Sequence, residues 1–398
     1  MIKKIALISL IVLAVVFTGC RKNKNTAAAE EKVPEINPAE YNENEEIYDA
    51  VVVGGGLAGL GAAYKLKTEL GEEAKILLLE KENRLGGRVW TKKFGEYYYE
   101  LGATFAYSPT LVPKNFELPE LVVSPDLYGE YRNGKMTSSR KMFQRDSFFT
   151  GNSNMLGNGK HYGKYEYLSH RAGGNGKMIE AWEKELTGKF ILEAEVVSVK
   201  NDGKNVAVSY KKGGKEEVVK AKTVIVATTA NVAAKIIKGM KEESANFLKS
   251  VSYNSRMVVN LLARLDKPVT FASINSDFLL LYVTNNGNGV YSLYCYIWDA
   301  SEKADYVDLS KQWLKETGIL NEKSEILHID SYFWKEELTL VSDKTYGNFS
   351  EAVLNPLPGV FLAGDYTFWN ELKIPYGMPP AYFSGKTAAK KVVEYLKK

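Results

Sequence analysis

Glycines at 54, 56 and 59, followed by a glutamate at 80, carry the clearest chemistry in the spacing of this chain. In a Gly-x-Gly-x-x-Gly run the first glycine permits a sharp turn. The second lets a diphosphate approach the backbone, and the third lets a helix pack close to a strand. A carboxylate about twenty residues further on can accept hydrogen bonds from ribose hydroxyls. The chemistry this spacing suits is the grip of a dinucleotide.

Such a grip needs a strand before the glycines, a helix after them and a second strand that ends at the acid. Asp49-Ala50-Val51-Val52-Val53 is a short apolar run rich in β-branched residues, which suits a buried parallel strand. Leu57 and Ala58 stand within the glycine turn as cofactor-binding candidates, and Leu60, Ala62, Ala63, Leu66 and Leu70 then fall at helical spacing. The N-terminus of that helix points free N–H groups and the positive end of its dipole at a phosphate. Lys75 to Leu79 reads as the second strand, and Glu80 ends it.

A second loop follows. Lys81-Glu82-Asn83-Arg84-Leu85-Gly86-Gly87-Arg88 sets two arginines around a glycine pair, so that cations and bare backbone stand where a diphosphate can be touched. A nicotinamide cofactor has no need of this second loop, so an NAD(P) site is the weaker alternative. Together the two loops resemble the FAD-binding start of the flavin amine oxidase superfamily, and Glu100-Leu101-Gly102-Ala103-Thr104 resembles its next flavin contact. The resemblance implies an α/β fold: a Rossmann-like FAD-binding domain with an interleaved α+β substrate domain.

The other end of the chain carries the closing half of such a site. Val360 to Ala363 reads as a strand running into Gly364-Asp365, the pair that in this superfamily meets the ribityl and diphosphate part of FAD. Tyr376-Gly377-Met378-Pro379-Pro380 then opens a helix, where a proline costs no hydrogen bond, with Met378 as a flavin contact. In the middle of the chain Val196 occupies the place of a valine that meets the adenine, and reads equally as a core valine. Trp334, in Tyr332-Phe333-Trp334-Lys335-Glu336-Glu337, is either a wall of the substrate pocket or a structural tryptophan.

The resemblance implies the segment plan. Residues 47–104, 171–265 and 356–398 are assigned to the FAD-binding domain, and 105–170 and 266–355 to the substrate domain. The first substrate segment is rich in rings, among them Tyr128, Tyr131, Phe143, Phe148, Phe149, Tyr162, Tyr165 and Tyr167. They suit a pocket lining, although any single ring is more often core filler.

Three departures bear on the reaction. Gly377 stands where monoamine oxidases carry a cage tyrosine, with Tyr376 one place earlier. Asn260 stands where the amine oxidases keep a lysine under the flavin, and Arg256 is the nearest cation. No cysteine lies near Lys344-Thr345, so FAD is expected to be held without a covalent link. The sequence thus names no catalytic base. Two functions stay open: hydride transfer to FAD from an amine or other C–N or C–C donor, with oxygen or a quinone as acceptor, or an exported flavin-binding relay or assembly protein without amine oxidase turnover.

Lys3 and Lys4 precede an apolar run from Ile5 to Phe17, about 13 residues, which suits a signal-peptide core better than a membrane span. Thr18-Gly19-Cys20 resembles a bacterial lipobox. Residues 1–20 are therefore expected to be a lipoprotein signal, with Cys20 lipidated, and 21–46 a polar tether from a membrane on the exported side. With 45% hydrophobic and 25% charged residues the whole chain is ordinary for a globular protein. A net charge of +4 without a basic, aromatic-interleaved block argues against nucleic acid. Three histidines without ligand spacing and two cysteines, Cys20 and Cys295, argue against a metal site and leave the expected partner a small-molecule substrate.

Overall fold

The computed structural model describes residues 46–104, 109–123, 127–139, 166–297, 300–302, 305–340, 345, 347–367 and 377–398. Cys20 and its leader, Phe143, Phe148, Phe149, Tyr162, Tyr165 and Tyr376 lie outside them. The strand, helix and strand expected at the start are present as β1 (Ile47–Val53), α1 (Leu57–Leu70) and β2 (Ile76–Leu79). Two short pairings follow. One joins β3 (Thr91–Phe94) to β4 (Tyr97–Glu100), and the other joins β5 (Leu121–Val123) to β8 (Glu166–Leu168).

The first large sheet is built on β1. It pairs in parallel with β2 on one side and with β12 (Lys215–Val226) on the other. β9 (Phe190–Ile191) extends the β2 side. β10 (Glu195–Asn201) and β11 (Val206–Lys212) form a ribbon against the first half of β12, while β18 (Val360–Leu362) pairs in parallel with its last residues. Alternation along β1 splits the core. Ala50 and Val52 face α1 and the last helix, α6 (Met378–Leu396). Val51 and Val53 face the ribbon with α3 (Ala230–Ile236) and α4 (Glu242–Ser250). α2 (Gly176–Glu185) sends Met178, Ile179 and Trp182 into the first of these layers.

The helices α1 and α6 cross where neither has a side chain. A Cβ on Gly385 would lie 1.8 Å from the Ala58 carbonyl oxygen, and one on Gly61 would lie 2.7 Å from that of Tyr382. The two ends of the described chain meet at this contact.

The second large sheet is mostly antiparallel, in the order β17, β13, β16, β15, β14, β6, β7. Its strands are β6 (Tyr128–Arg132), β7 (Lys135–Ser139), β13 (Ser252–Arg264), β14 (Ser273–Ser276), β15 (Leu279–Gly287), β16 (Val290–Ile297) and β17 (Glu325–Leu340). β13, placed by sequence in the 171–265 segment, pairs here and not in the first sheet. One face packs on α5 (Tyr306–Glu316) through Val259, Leu261, Ala263, Trp313 and Leu314. The other carries Val258, Leu262, Leu280, Tyr282 and Tyr294 against Tyr99 and Leu101 of the β4 segment.

Candidate functional site

Gly54 turns the chain out of β1 with φ +102°, and a Cβ there would meet the Ala227 carbonyl oxygen at 2.7 Å. Gly59 sits on that turn, since its Cβ would fall 1.8 Å from the Gly54 carbonyl oxygen. Gly56 differs: a Cβ there would find nothing nearer than the Gly87 Cα, at 4.0 Å. It caps α1 without a side chain, and no acidic residue stands in the first turn beyond it, where Leu57 and Ala58 are buried. The start of the helix therefore leaves its N–H groups and open space together, which suits an anion.

Glu80 is 6% exposed and accepts from the N–H groups of Gly55 (2.5 Å) and Glu82 (2.9 Å). The second loop abuts the first. Gly86 donates to the Gly55 carbonyl at 2.9 Å, and a Cβ on Gly87 would lie 3.2 Å from Gly56 Cα. The loop's cations divide their work. Arg84 donates to the carbonyls of Leu85, Gly87 and Val89 at 2.9–3.2 Å and lies over the Trp90 ring at 4.5 Å, so it braces the loop. Lys81 stands in solvent, paired with Glu82 at 3.3 Å. Arg88 crosses to the far end of the chain, donating to the Glu337 carbonyl (2.5 Å) and pairing with Asp365 at 3.1 Å.

Asp365 is 1% exposed. Its Oδ1 accepts from Arg88 and from the Tyr366 N–H at 3.2 Å, while its Oδ2 is buried with no partner among the described residues. Gly364 donates its N–H to Ser384 Oγ at 2.9 Å, which ties the strand end to α6. α6 opens after Gly377 (φ +105°) with proline in its first turn and no side-chain cap, and Met378 packs half-buried against the α1 and α6 core.

Val196 is buried in β10, two residues beyond Ala194, whose N–H donates to the Glu80 carbonyl at 2.8 Å. Gly102 could take no side chain, for its Cβ would lie 2.1 Å from the Arg88 carbonyl oxygen. Its own carbonyl accepts from Tyr294 Oη at 2.8 Å. Ala103 donates to the Arg88 carbonyl and accepts from Asn175 Nδ2. Thr104 follows as half-buried coil.

Two residues read as substrate-pocket candidates are tied by hydrogen bonds to the β4 segment. Trp334 donates Nε1–H to the Leu101 carbonyl at 2.6 Å and packs edge-on to Tyr332 and Trp90. Asn260, 1% exposed, donates to the Glu100 carbonyl (2.9 Å) and accepts from Ser292 (3.0 Å). Both ends of its amide are committed, so it does not reach toward a cofactor as the lysine of the amine oxidases would. Tyr282, Tyr294, Tyr296 and Trp334 of β15, β16 and β17 gather on the face of the second sheet that meets the β4 segment, while in the 105–170 segment Tyr128 is buried and Tyr131 packs on Trp313.

Sequence reasoning passed over Glu337. Burial raises its carboxyl to about 7, with Asp365 adding to the rise and Tyr296, Arg256 and Arg88 pulling it down. Two adjacent acids inside a strand, just after the run Tyr332-Phe333-Trp334, were the available signal. Glu100, which opens the Glu100 to Thr104 segment, takes the Asn175 N–H (2.9 Å) and Thr91 Oγ1 (2.7 Å) on its buried carboxylate and so anchors α2 to β4, a role the sequence did not show.

An open cradle at Gly56, two uncapped helix starts and the partnerless Asp365 oxygen fit a cofactor with a diphosphate and a polyol. Fold and site together define an oxidoreductase of the dinucleotide-cofactor class. Residues 48–262 match the pyridine nucleotide-disulphide oxidoreductase family, more than half of the chain, and the protein belongs to that family. The fold is shared with cyclohexylamine oxidase from Brevibacterium oxydans (TM-score 0.69, 13% identity, 89% of this chain and 100% of that one). It is shared too with putrescine oxidase bound to putrescine (TM-score 0.64, 11% identity, 89% and 100%). In sequence, a pseudooxynicotine dehydrogenase from a Pseudomonas species is 47% identical over 60 residues, 15% of this chain. The match spans 12% of that relative's length. The family and these neighbours indicate FAD as the cofactor.

Proposed function

We propose that the protein is an FAD-dependent oxidoreductase of the amine oxidase type, which oxidises an amine or another C–N or C–C donor by hydride transfer. The observation that carries this is the meeting of both chain ends on one cradle: Gly56 and Gly87 from the start, and Asp365 with its partnerless Oδ2 from the end. Bound FAD supplies the hydride acceptor. Glu80 would hold the ribose, the α1 N-terminus with Gly56 and Gly87 the diphosphate, and Asp365 a polyol hydroxyl. Tyr282, Tyr294, Tyr296 and Trp334 keep water from the cavity and give the donor an apolar wall.

With Asn260 committed to Glu100 and Ser292, donor orientation falls to shape and rings in place of a cation under the flavin. The test is anaerobic mixing of the FAD-loaded protein with amines, amino acids and polyenes while the flavin absorbance is followed. Bleaching by one class supports the reading, and oxygen or a quinone restoring the colour identifies the acceptor. Retained colour with every donor would favour a flavin-binding protein without turnover.

The N-terminus adds a location to this reading. Cys20 carries lipid and holds the domain on the exported face of a membrane. Cys20→Ser should move the protein from the membrane fraction to the soluble one, and an unchanged distribution would refute the anchor.

A further inference from the structure

β17 does not run evenly along β13. Arg256 pairs with Trp334 and Asn254 with Leu338, so Ser255 alone stands opposite Lys335, Glu336 and Glu337. A bulge of this kind bends a strand and re-aims its side chains, and such bulges gather beside active sites. Here Glu336 turns to Asn231 Nδ2 at 2.7 Å, while the Glu337 carbonyl receives Arg88. The Glu337 side chain is 17% exposed, and its Oε2 is buried without a hydrogen-bond partner among the described residues, 4.0 Å from Arg256 Nε.

We propose that Glu337 is a further residue of the cofactor site, holding an exchangeable proton that sets the charge on which the FAD diphosphate rests. The inference rests on the FAD reading above. The groups that face the carboxyl are Arg88 from the second glycine loop, Asp365 beyond β18, Arg256 from β13 and Tyr296 from β16. Tyr294 lies beside Tyr296, and Tyr253 faces Asp365 and Arg88. Burial drives all three tyrosines upward, so they stay neutral, and Glu337 is the member of this cluster that titrates near neutral pH. Protonating Glu337 makes this cluster more positive by one charge, and ionising it removes that charge.

An arriving diphosphate adds negative charge, which favours the protonated carboxyl. Its pKa therefore rises on binding, and each unit of rise makes FAD bind about tenfold more tightly below the transition than above it. Affinity is highest with the proton on and is lost as pH rises through about 7.

The experiment titrates apoprotein with FAD by fluorescence quenching, from about pH 6 to about pH 8.5, to bracket that transition. Wild type should weaken about tenfold across the range. Glu337→Gln should be flat at the tight value, and Glu336→Gln should follow wild type. Calorimetry of wild type in buffers of different ionisation heat should show proton uptake on binding near neutral pH. A flat wild-type profile without proton uptake overturns the assignment and leaves the FAD site standing, as does a Glu337→Gln variant that keeps the wild-type slope. Failure to take up FAD at any pH overturns both readings.

Discussion

Replacing Asp365 by alanine should separate cofactor affinity from the stability of the empty protein. Its Oδ1 is occupied by Arg88 and the Tyr366 N–H, and its Oδ2 has no partner among the described residues. A buried acceptor left unpaired costs about 1–3 kcal/mol, and a hydrogen bond to a charged group contributes about 1.5–3 kcal/mol. A cofactor hydroxyl that meets Oδ2 therefore gains about 1.5–3 kcal/mol, which Asp365→Ala forfeits, weakening FAD by roughly 10- to 150-fold. The empty protein loses the Arg88 pair, but the Arg88 side chain is 32% exposed and keeps water contact. It also sheds the unpaired oxygen. The two changes oppose each other, so unfolding of the apoprotein should shift little. Fluorescence titration with FAD and thermal unfolding of the apoprotein read the two quantities separately. A variant that binds FAD within twofold of wild type would refute the reasoning, and so would one whose apoprotein is as damaged as its affinity.

The glycine loop should divide in the same way. Gly59→Ala drives a Cβ into the Gly54 carbonyl oxygen and should destabilise the apoprotein by about 1–3 kcal/mol or more. Gly56→Ala meets open space, so it should leave apoprotein unfolding unchanged and weaken FAD alone. Asn260→Leu strands the Glu100 carbonyl and the Ser292 hydroxyl and should cost about 1–3 kcal/mol in denaturant unfolding. Burial pushes the Asp330 carboxyl up, but hydrogen bonds from Lys92 and Tyr99 outweigh it and hold the group low. Its folded value lies below its unfolded one, so its stabilisation is present near neutral pH and is lost as pH falls through the folded value. Asp330→Asn should flatten the acid limb of a stability-against-pH curve, and an unchanged limb would assign that loss elsewhere.

The parts of the site legible in the sequence are those whose residues are neighbours in the chain. Gly54 to Glu80 is one strand, helix and strand unit, in which Gly54 and Gly59 are demanded by carbonyl oxygens of that unit or of the strand beside it, while Gly56 faces open space. Gly364-Asp365 was read from the superfamily resemblance, and the strand expected before it is present as β18, which ends at Leu362. β13 was not, since its two faces are both buried and alternation cannot say which sheet it joins. In the second sheet rings recur every second residue, as at Tyr294 and Tyr296 or Tyr332 and Trp334, so that one face collects them, whereas most of the rings read as a pocket lining between 105 and 170 lie outside the described residues.

What no local pattern could show is how the second sheet is fastened to the cofactor segment. Asn260 binds the carbonyl of Glu100, Trp334 that of Leu101 and Tyr294 that of Gly102. Three consecutive carbonyls are thus held by three different strands, at sequence separations of 160 to 233 residues. A lysine in place of Asn260 could donate to Glu100 but could not accept from Ser292, and would bring a charge into a position 1% exposed. The amide is therefore part of the fastening, and the departure from the amine oxidase pattern has a structural cause in this chain. The same fastening joins the proposed wall to the proposed cofactor contact, because Gly102 and Ala103 also lie on the Arg88 carbonyl. Cutting Tyr294 to phenylalanine removes a hydroxyl from the wall, yet the strain falls on Gly102 and through it on Arg88 and Asp365. Such a variant should change FAD affinity as well as donor selectivity, whereas a wall independent of the cofactor segment would change selectivity alone.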